Sequence, residues 1–182
     1  GSGISLSNLD IFPDRTNPDF PYGFKNVIIE DCTVNHCRGV SAIAITIANN
    51  VVVKNTQAND FFNDVGSEYV TVGGGGPAAY YITADNLMMY NCQGNGTKDL
   101  DPTNTDGQVG SFLQDCINAY IKDCQFNDTF GESDGIVNFN CSNSKNFVAE
   151  NCQFNNSRGG ELARLVAGIH MSDSAFQQTE GN

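Results

Sequence analysis

The feature that most constrains this chain is an internal repeat. "NAYIKDCQFNDTFG", from Asn118 to Gly131, returns as "NFVAENCQFNNSRG" from Asn146 and more loosely as "NVIIEDCTVNHCRG" from Asn26. Six segments align on Asn26, Asn50, Asn86, Asn118, Asn146 and Asp173. Nine positions on, all six carry Asn: Asn35, Asn59, Asn95, Asn127, Asn155 and Asn182. Six positions on stand Cys32, Thr56, Cys92, Cys124, Cys152 and Thr179. Three positions on stand the apolar Ile29, Val53, Met89, Ile121, Ala149 and Phe176. The segment starts lie 24, 36, 32, 28 and 27 residues apart. A constant motif at a varying interval means fixed elements joined by variable loops.

Period two identifies the elements. Val27 and Ile29 recur as Val51 and Val53, and as Leu87 and Met89. Alternation of this kind is a strand with one buried face; a helix needs spacings of three and four. The closing Asn is expected to take left-handed backbone and bond its own turn. A second strand-like run lies between copies: "SAIAITIANN", "AAYYITADN", "GSFLQDCIN", "GIVNFNCSN" and "LVAGIHMSD".

No unit of this size buries its apolar face alone, but a stack of units does. Like positions then sit one strand spacing apart, about 4.8 Å. The expected fold is all-β, a right-handed parallel β-helix of about six coils. Leucine-rich repeats and hexapeptide helices need fixed Leu positions or strict sixes, which are missing, and a β-sandwich leaves the matched positions unexplained. From Asn26 to the end the chain resembles the pectin lyase-like superfamily in its order of Gly, strand, Ser or Asp, Asn, strand, "NC" or "NN", and Asn. The resemblance implies architecture. It leaves function open, because that superfamily includes lyases, hydrolases, adhesins and phage tailspikes.

The organisation reads as residues 1–25, an N-terminal segment with Pro13, Pro18 and Pro21, followed by the β-helix over 26–182. The opening "GSG" reads as a cloning scar, and the aromatic N-terminal segment as an end cover. No capping element follows the last coil. A piece of a longer chain is therefore expected, or end-to-end or oligomeric association through that coil.

Nine Lys and Arg against 21 Asp and Glu give a net charge of −12. Nucleic acid is not expected as a partner, since phosphate binding needs a basic patch. Acidic glycans and anionic membranes are expected to be repelled unless cations bridge. No apolar run is long enough for a transmembrane helix.

The seven Cys do not read as a disulfide scaffold, because Cys32, Cys92, Cys124 and Cys152 share a position with Thr56 and Thr179. A site that takes Cys or Thr wants a small inward side chain, so an internal ladder of free thiols is expected. Zinc is disfavoured: there is no CxxC, and His36 and His170 are the only His. Reduced thiols would suit an intracellular or recombinant setting, while the resembled architecture suits a secreted, cell-surface or virion protein.

Function is expected on the loops that follow the closing Asn residues. The candidate carbohydrate-binding residues are Phe61, Phe62, Asp64, Tyr69, Asp106, Asp128, Phe130, Asp134 and Arg158. Aromatic rings would stack on sugars while carboxylates and Arg take hydroxyls. Asp99, Asp101 and Asp106 are spaced like a loose calcium loop, without the bidentate Glu of an EF-hand. Asn104–Gly107, "NTDG", is similar to a polygalacturonase motif whose Asp is catalytic. The accompanying "DD", "GHG" and "RIK" are missing, and "QDC" offers Asp115 alone. A tight turn explains "NTDG" as well. "GGGGP" at 73–77 lacks the Lys-Ser or Lys-Thr of a phosphate loop. The expected function is a structural or glycan-binding β-helix module of adhesin, fibre or surface-protein type. The alternative is a polysaccharide lyase or glycoside hydrolase acting through the acidic loops.

Overall fold

The computed structural model describes residues 3–6, 23–39, 41–63, 78–100, 108–131, 135–161, 163, 165–172 and 179–180. Among them there is no helix, and every strand pairing is parallel. The strands form four walls of a solenoid-like stack, each repeat passing along all four in turn. The first wall holds Ile4–Leu6, the start of Ser41–Lys54, the start of Ala78–Tyr90, Gln108–Gln114, Gly135–Ser142 and Leu165–Ser172. The second holds Phe24–Glu30, the ends of the same two long strands, Ile117–Lys122, Lys145–Glu150 and Thr179–Glu180. The two long strands run through both walls and join them into one hydrogen-bonded sheet. The third wall consists of Thr33–Asn35, Gln57–Asn59, Gln125–Asn127 and Gln153–Asn155, bridged through Gln93. The fourth consists of the two-residue strands Phe62–Asn63, Lys98–Asp99, Phe130–Gly131 and Arg158–Gly159.

The register follows the repeat read from sequence. Val27 pairs with Val51, Val51 with Leu87, Leu87 with Ala119 and Ala119 with Phe147. The sixth copy is the exception. Thr179 pairs with Phe147, one position into the repeat, so the sixth copy is not in the register that a start at Asp173 requires. Matching Thr179 to the Cys ladder used residue type alone, whereas the backbone ladder sets the pairing. The stack also begins earlier than Asn26, because Ile4–Leu6 pairs with Ile43–Ile45.

Each of five repeats bends at three matched residues with left-handed backbone, and Ile47, Asp115 and Asn143 add further such positions between the first and second walls. Asn26, Asn50, Asn86, Asn118 and Asn146 make the first corner, with φ between 54° and 58°. Asp31, Asn55, Asn91, Asp123 and Asn151 make the second, and His36, Asp60, Gly96, Asp128 and Asn156 the third. Asn and Asp tolerate this region better than other side chains. The closing Asn residues do something else, which corrects the expectation. They precede the third corner, and each Oδ1 accepts the backbone N–H of the next closing Asn. Asn35 serves Asn59 at 3.3 Å, Asn59 serves Asn95 at 3.3 Å, Asn95 serves Asn127 at 3.1 Å and Asn127 serves Asn155 at 2.9 Å. The first corners form an amide ladder of their own: Asn118 Nδ2 donates to Asn86 Oδ1 at 3.0 Å and Asn146 Nδ2 to Asn118 Oδ1 at 2.9 Å.

The core is the inside of the tube. Ile43, Ile45, Val51, Val53, Ile82, Leu87, Met89, Leu113 and Ile121 are fully buried in matched rows. Aromatic rings fill the later repeats: Phe126 lies 4.8 Å from Phe139, 5.8 Å from Phe154 and 6.0 Å from Tyr80 between centroids. The Tyr80 hydroxyl crosses the interior, 2.9 Å from Thr56 Oγ1, and lies in reach of the carbonyls of Thr56 and Gln93 at 3.1 and 3.0 Å. All seven Cys are free thiols. Thr56 Oγ1 donates to Cys92 Sγ at 3.3 Å, and hydrogen bonds with Cys152 and Cys92, together with burial, push the Cys124 thiol far up. Burial raises Cys141 to about 11.

Two outcomes follow from this interior. Phe126→Ala removes a ring touching three other aromatics and should cost about 3–5 kcal/mol in urea denaturation. In native protein a thiol reagent should label Cys32, Cys37 and Cys152 first, because these are half-buried, while Cys92, Cys116, Cys124 and Cys141 are buried. All seven should react once the protein is denatured. Fast labelling of Cys124 in the native state would contradict the ladder.

Candidate functional site

The fourth wall carries the candidate site. Its strands are two residues long, so in each the first residue points out and the second points in. The outward residues are Phe62, Lys98, Phe130 and Arg158, paired in that order. A bridge from Arg38 to Phe62 extends the row by one repeat. The row therefore reads Arg38, Phe62, Lys98, Phe130, Arg158, cation and ring in alternation. One strand spacing is about 4.8 Å, which sets like residues about 9.6 Å apart and gives the row a length of about 19 Å. Arg38, Lys98 and Arg158 are exposed, and the two rings are half-buried. Three of the chain's nine cationic residues thus lie on one line of a strongly acidic protein.

The nearest described row of carboxylates is turned to other partners. Asp60 and Asp128 stand at the third corner, two positions before the cationic row. Asp60 Oδ2 lies 3.4 Å from His36 Nδ1, and Asp128 Oδ1 accepts from Asn156 Nδ2 at 3.0 Å. Among the described residues neither Lys98 nor Arg158 has a carboxylate within salt-bridge distance.

Of the residues expected from sequence, Phe62, Phe130 and Arg158 come together on this row, and Asp128 lies exposed beside it. Phe61 is a correction. It points into the tube and is fully buried, in line with Cys37, Thr97 and Thr129, so it cannot stack on a sugar. "DFF" contains one inward and one outward ring, and two letters do not say which is which. Asp99 is likewise inward and fully buried, with Asn63 Nδ2 3.5 Å from its Oδ1. It does not stand on a calcium-accessible loop. Asp64, Tyr69, Asp101, Asp106 and Asp134 lie outside the described residues, as do "NTDG" and "GGGGP". Among the described residues no three His, Cys, Asp or Glu side chains form a group able to hold a metal ion. Nor is any helix there long and apolar enough to cross a membrane.

The sequence places Arg38 and Lys98 on the loops after the closing Asn residues but does not single them out as binding residues. Only the repeat number reveals them: each stands twelve positions after a corner Asn, as do Phe62, Phe130 and Arg158. Sequence reasoning missed a second row on the first wall, Tyr81, Phe112, Asn140 and His170 in register, in which Tyr81 and His170 are half-buried and Phe112 and Asn140 are buried. Tyr81 Oη donates to Gln114 Oε1 at 2.9 Å, and His170 Nδ1 lies 3.3 Å from Asn140 Oδ1. Burial, and then the charge of Asp115, raise the Tyr81 hydroxyl above its ordinary range.

Comparison with protein-family models, curated proteins and solved structures finds no match.

Proposed function

We propose that this chain is a right-handed parallel β-helix of about six coils, of pectin lyase-like architecture, that serves as a glycan-binding module of adhesin, fibre or surface-protein type. The observation that supports this reading is the alternating row Arg38, Phe62, Lys98, Phe130, Arg158. An extended glycan lying along the stack axis would meet a ring at every second repeat. Aromatic faces suit the apolar faces of sugar rings, and the intervening guanidinium and ammonium groups suit carboxylates or sulfates. The net charge of −12 argues against acidic ligands for the molecule as a whole. Within a Debye length, about 8 Å at physiological salt, the local row counts for more than the distant acidic residues.

A second reading, a polysaccharide lyase or glycoside hydrolase, draws on the first wall, where Tyr81 and His170 belong to one row and Asp115, just past the end of Gln108–Gln114, acts on the Tyr81 hydroxyl. It requires bond cleavage, which the binding reading does not.

A glycan array with and without calcium, followed by a reducing-sugar assay on whatever binds, separates the two. For the binding reading, a carboxylated linear polysaccharide should bind without releasing reducing ends. Removing a ring in Phe62→Ala or Phe130→Ala should weaken it roughly tenfold, about 1.4 kcal/mol. Lys98→Glu should weaken binding further and reduce its sensitivity to salt. Wild-type affinity retained in Phe62→Ala, Phe130→Ala and Lys98→Glu would remove the fourth wall from the site.

A further inference from the structure

The outer surface of the second wall carries an apolar row beside a charge-balanced one. Ile28, Val52, Met88, Tyr120 and Val148 pair in register and all point outward. Ile28 is 65% exposed, Met88 47% and Val148 41%. Two positions along each strand runs a parallel row: Glu30, Lys54, Tyr90, Lys122, Glu150. Lys54 Nζ lies 2.6 Å from Glu30 and Lys122 Nζ 2.5 Å from Glu150, so the row is neutral in a chain of charge −12. Tyr90 and Tyr120 pack edge to face at 5.8 Å, and Tyr120 Oη donates to Glu150 Oε2 at 2.6 Å. Exposed apolar rows of this extent mark interaction surfaces.

The sign pattern reads the same from either end: acid, base, ring, base, acid. That symmetry identifies the occupant. Rotating a second copy by half a turn about an axis parallel to the strands reverses the order of its repeats. In full overlap, Lys54 would face Lys122 and Glu30 would face Glu150, like against like. A displacement of one repeat brings Glu30 opposite Lys122 of the other copy and Lys54 opposite Tyr90, each contact occurring twice by symmetry. In the apolar row, Ile28 then meets Tyr120 and Val52 meets Met88. The displacement converts like-charge contacts in this row into two ion pairs and two cation–ring contacts, and covers Ile28, the most exposed large apolar residue among those described. Asp31 and Asp123 flank this row at the second corner and would come opposite one another, but the row itself is neutral, which limits the repulsion that two strongly acidic chains would feel elsewhere.

We propose that the second wall is an isologous homodimer interface, displaced by one repeat, through which a second copy of this chain packs face to face. Four overlapping strands give a footprint of about 400 Å² per copy. That is at the low end for specific association, so the dimer is weak and forms at high protein concentration.

Sedimentation equilibrium of the purified chain, over low micromolar to sub-millimolar concentrations at physiological salt, tests this. Reversible dimerisation is expected. Met88→Glu places a charge at the centre of an exposed row, so melting should be unchanged while the dimer is lost. Thr33→Glu, exposed on the third wall, should leave the dimer intact. Glu30→Lys should weaken association, and adding Lys122→Glu should restore part of it. A wild-type chain that stays monomeric throughout, or a dimer indifferent to Met88→Glu, overturns the proposal. Failure of Lys122→Glu to compensate overturns the displaced pairing.

Discussion

The structure depends on residues that hold left-handed backbone at the corners. A parallel stack with short walls must turn sharply several times per repeat, always at the same places, and each turn needs positive φ. For most side chains that region is costly; for Asn and Asp it is tolerable because the short polar group bonds locally. Of the fifteen matched corner positions, three in each of five repeats, thirteen are Asn or Asp, which helps explain why the chain is rich in Asn and poor in charge. The acidic balance follows in part, since Asp31, Asp60, Asp123 and Asp128 are corner residues first and charges second. Once the corners are fixed, what lies between them is fixed too. Rows form at every repeat position, and a row is inward or outward for the length of the stack.

The amide ladders add to this. A closing Asn whose Oδ1 caps the next repeat's N–H satisfies a backbone donor near a bend, where the ordinary strand ladder is interrupted. Two rows side by side also imitate a modification signal. The closing Asn and the inward residue two places later make Asn95–Thr97, Asn127–Thr129 and Asn155–Ser157 look like glycosylation sequons. Thr97 and Thr129 are buried, so the register alone accounts for the pattern.

Most of the fold was legible in the sequence because period two and the recurring Asn are both consequences of stacking. The last repeat was not, because Thr179 resembles a ladder residue in type while the backbone pairs it five positions away from that role. The site was half legible. Phe62, Phe130 and Arg158 stood out as aromatic and cationic residues in acidic loops, but a two-residue strand is too short to show a period. Without it, Phe61 and Phe62 were equivalent letters, and Asp99 was one more surface acid. Counting from the corner residue resolves each of them, since positions eleven and thirteen face in and position twelve faces out.

A stack of near-identical layers has a difficulty of its own: any layer can dock on any other. Rows of Val, Ile and Asn would accept a strand one repeat out of place almost as well as in place. Tyr80 does not. Its hydroxyl sits 2.9 Å from Thr56 Oγ1 on the far side of the tube, where the matched residues of the other four repeats are Cys32, Cys92, Cys124 and Cys152, so a slipped pairing would trade that hydroxyl partner for a thiol, a weaker one. The tyrosine therefore works like a key cut for one lock, giving a repetitive chain a single address from which the count of its layers can start.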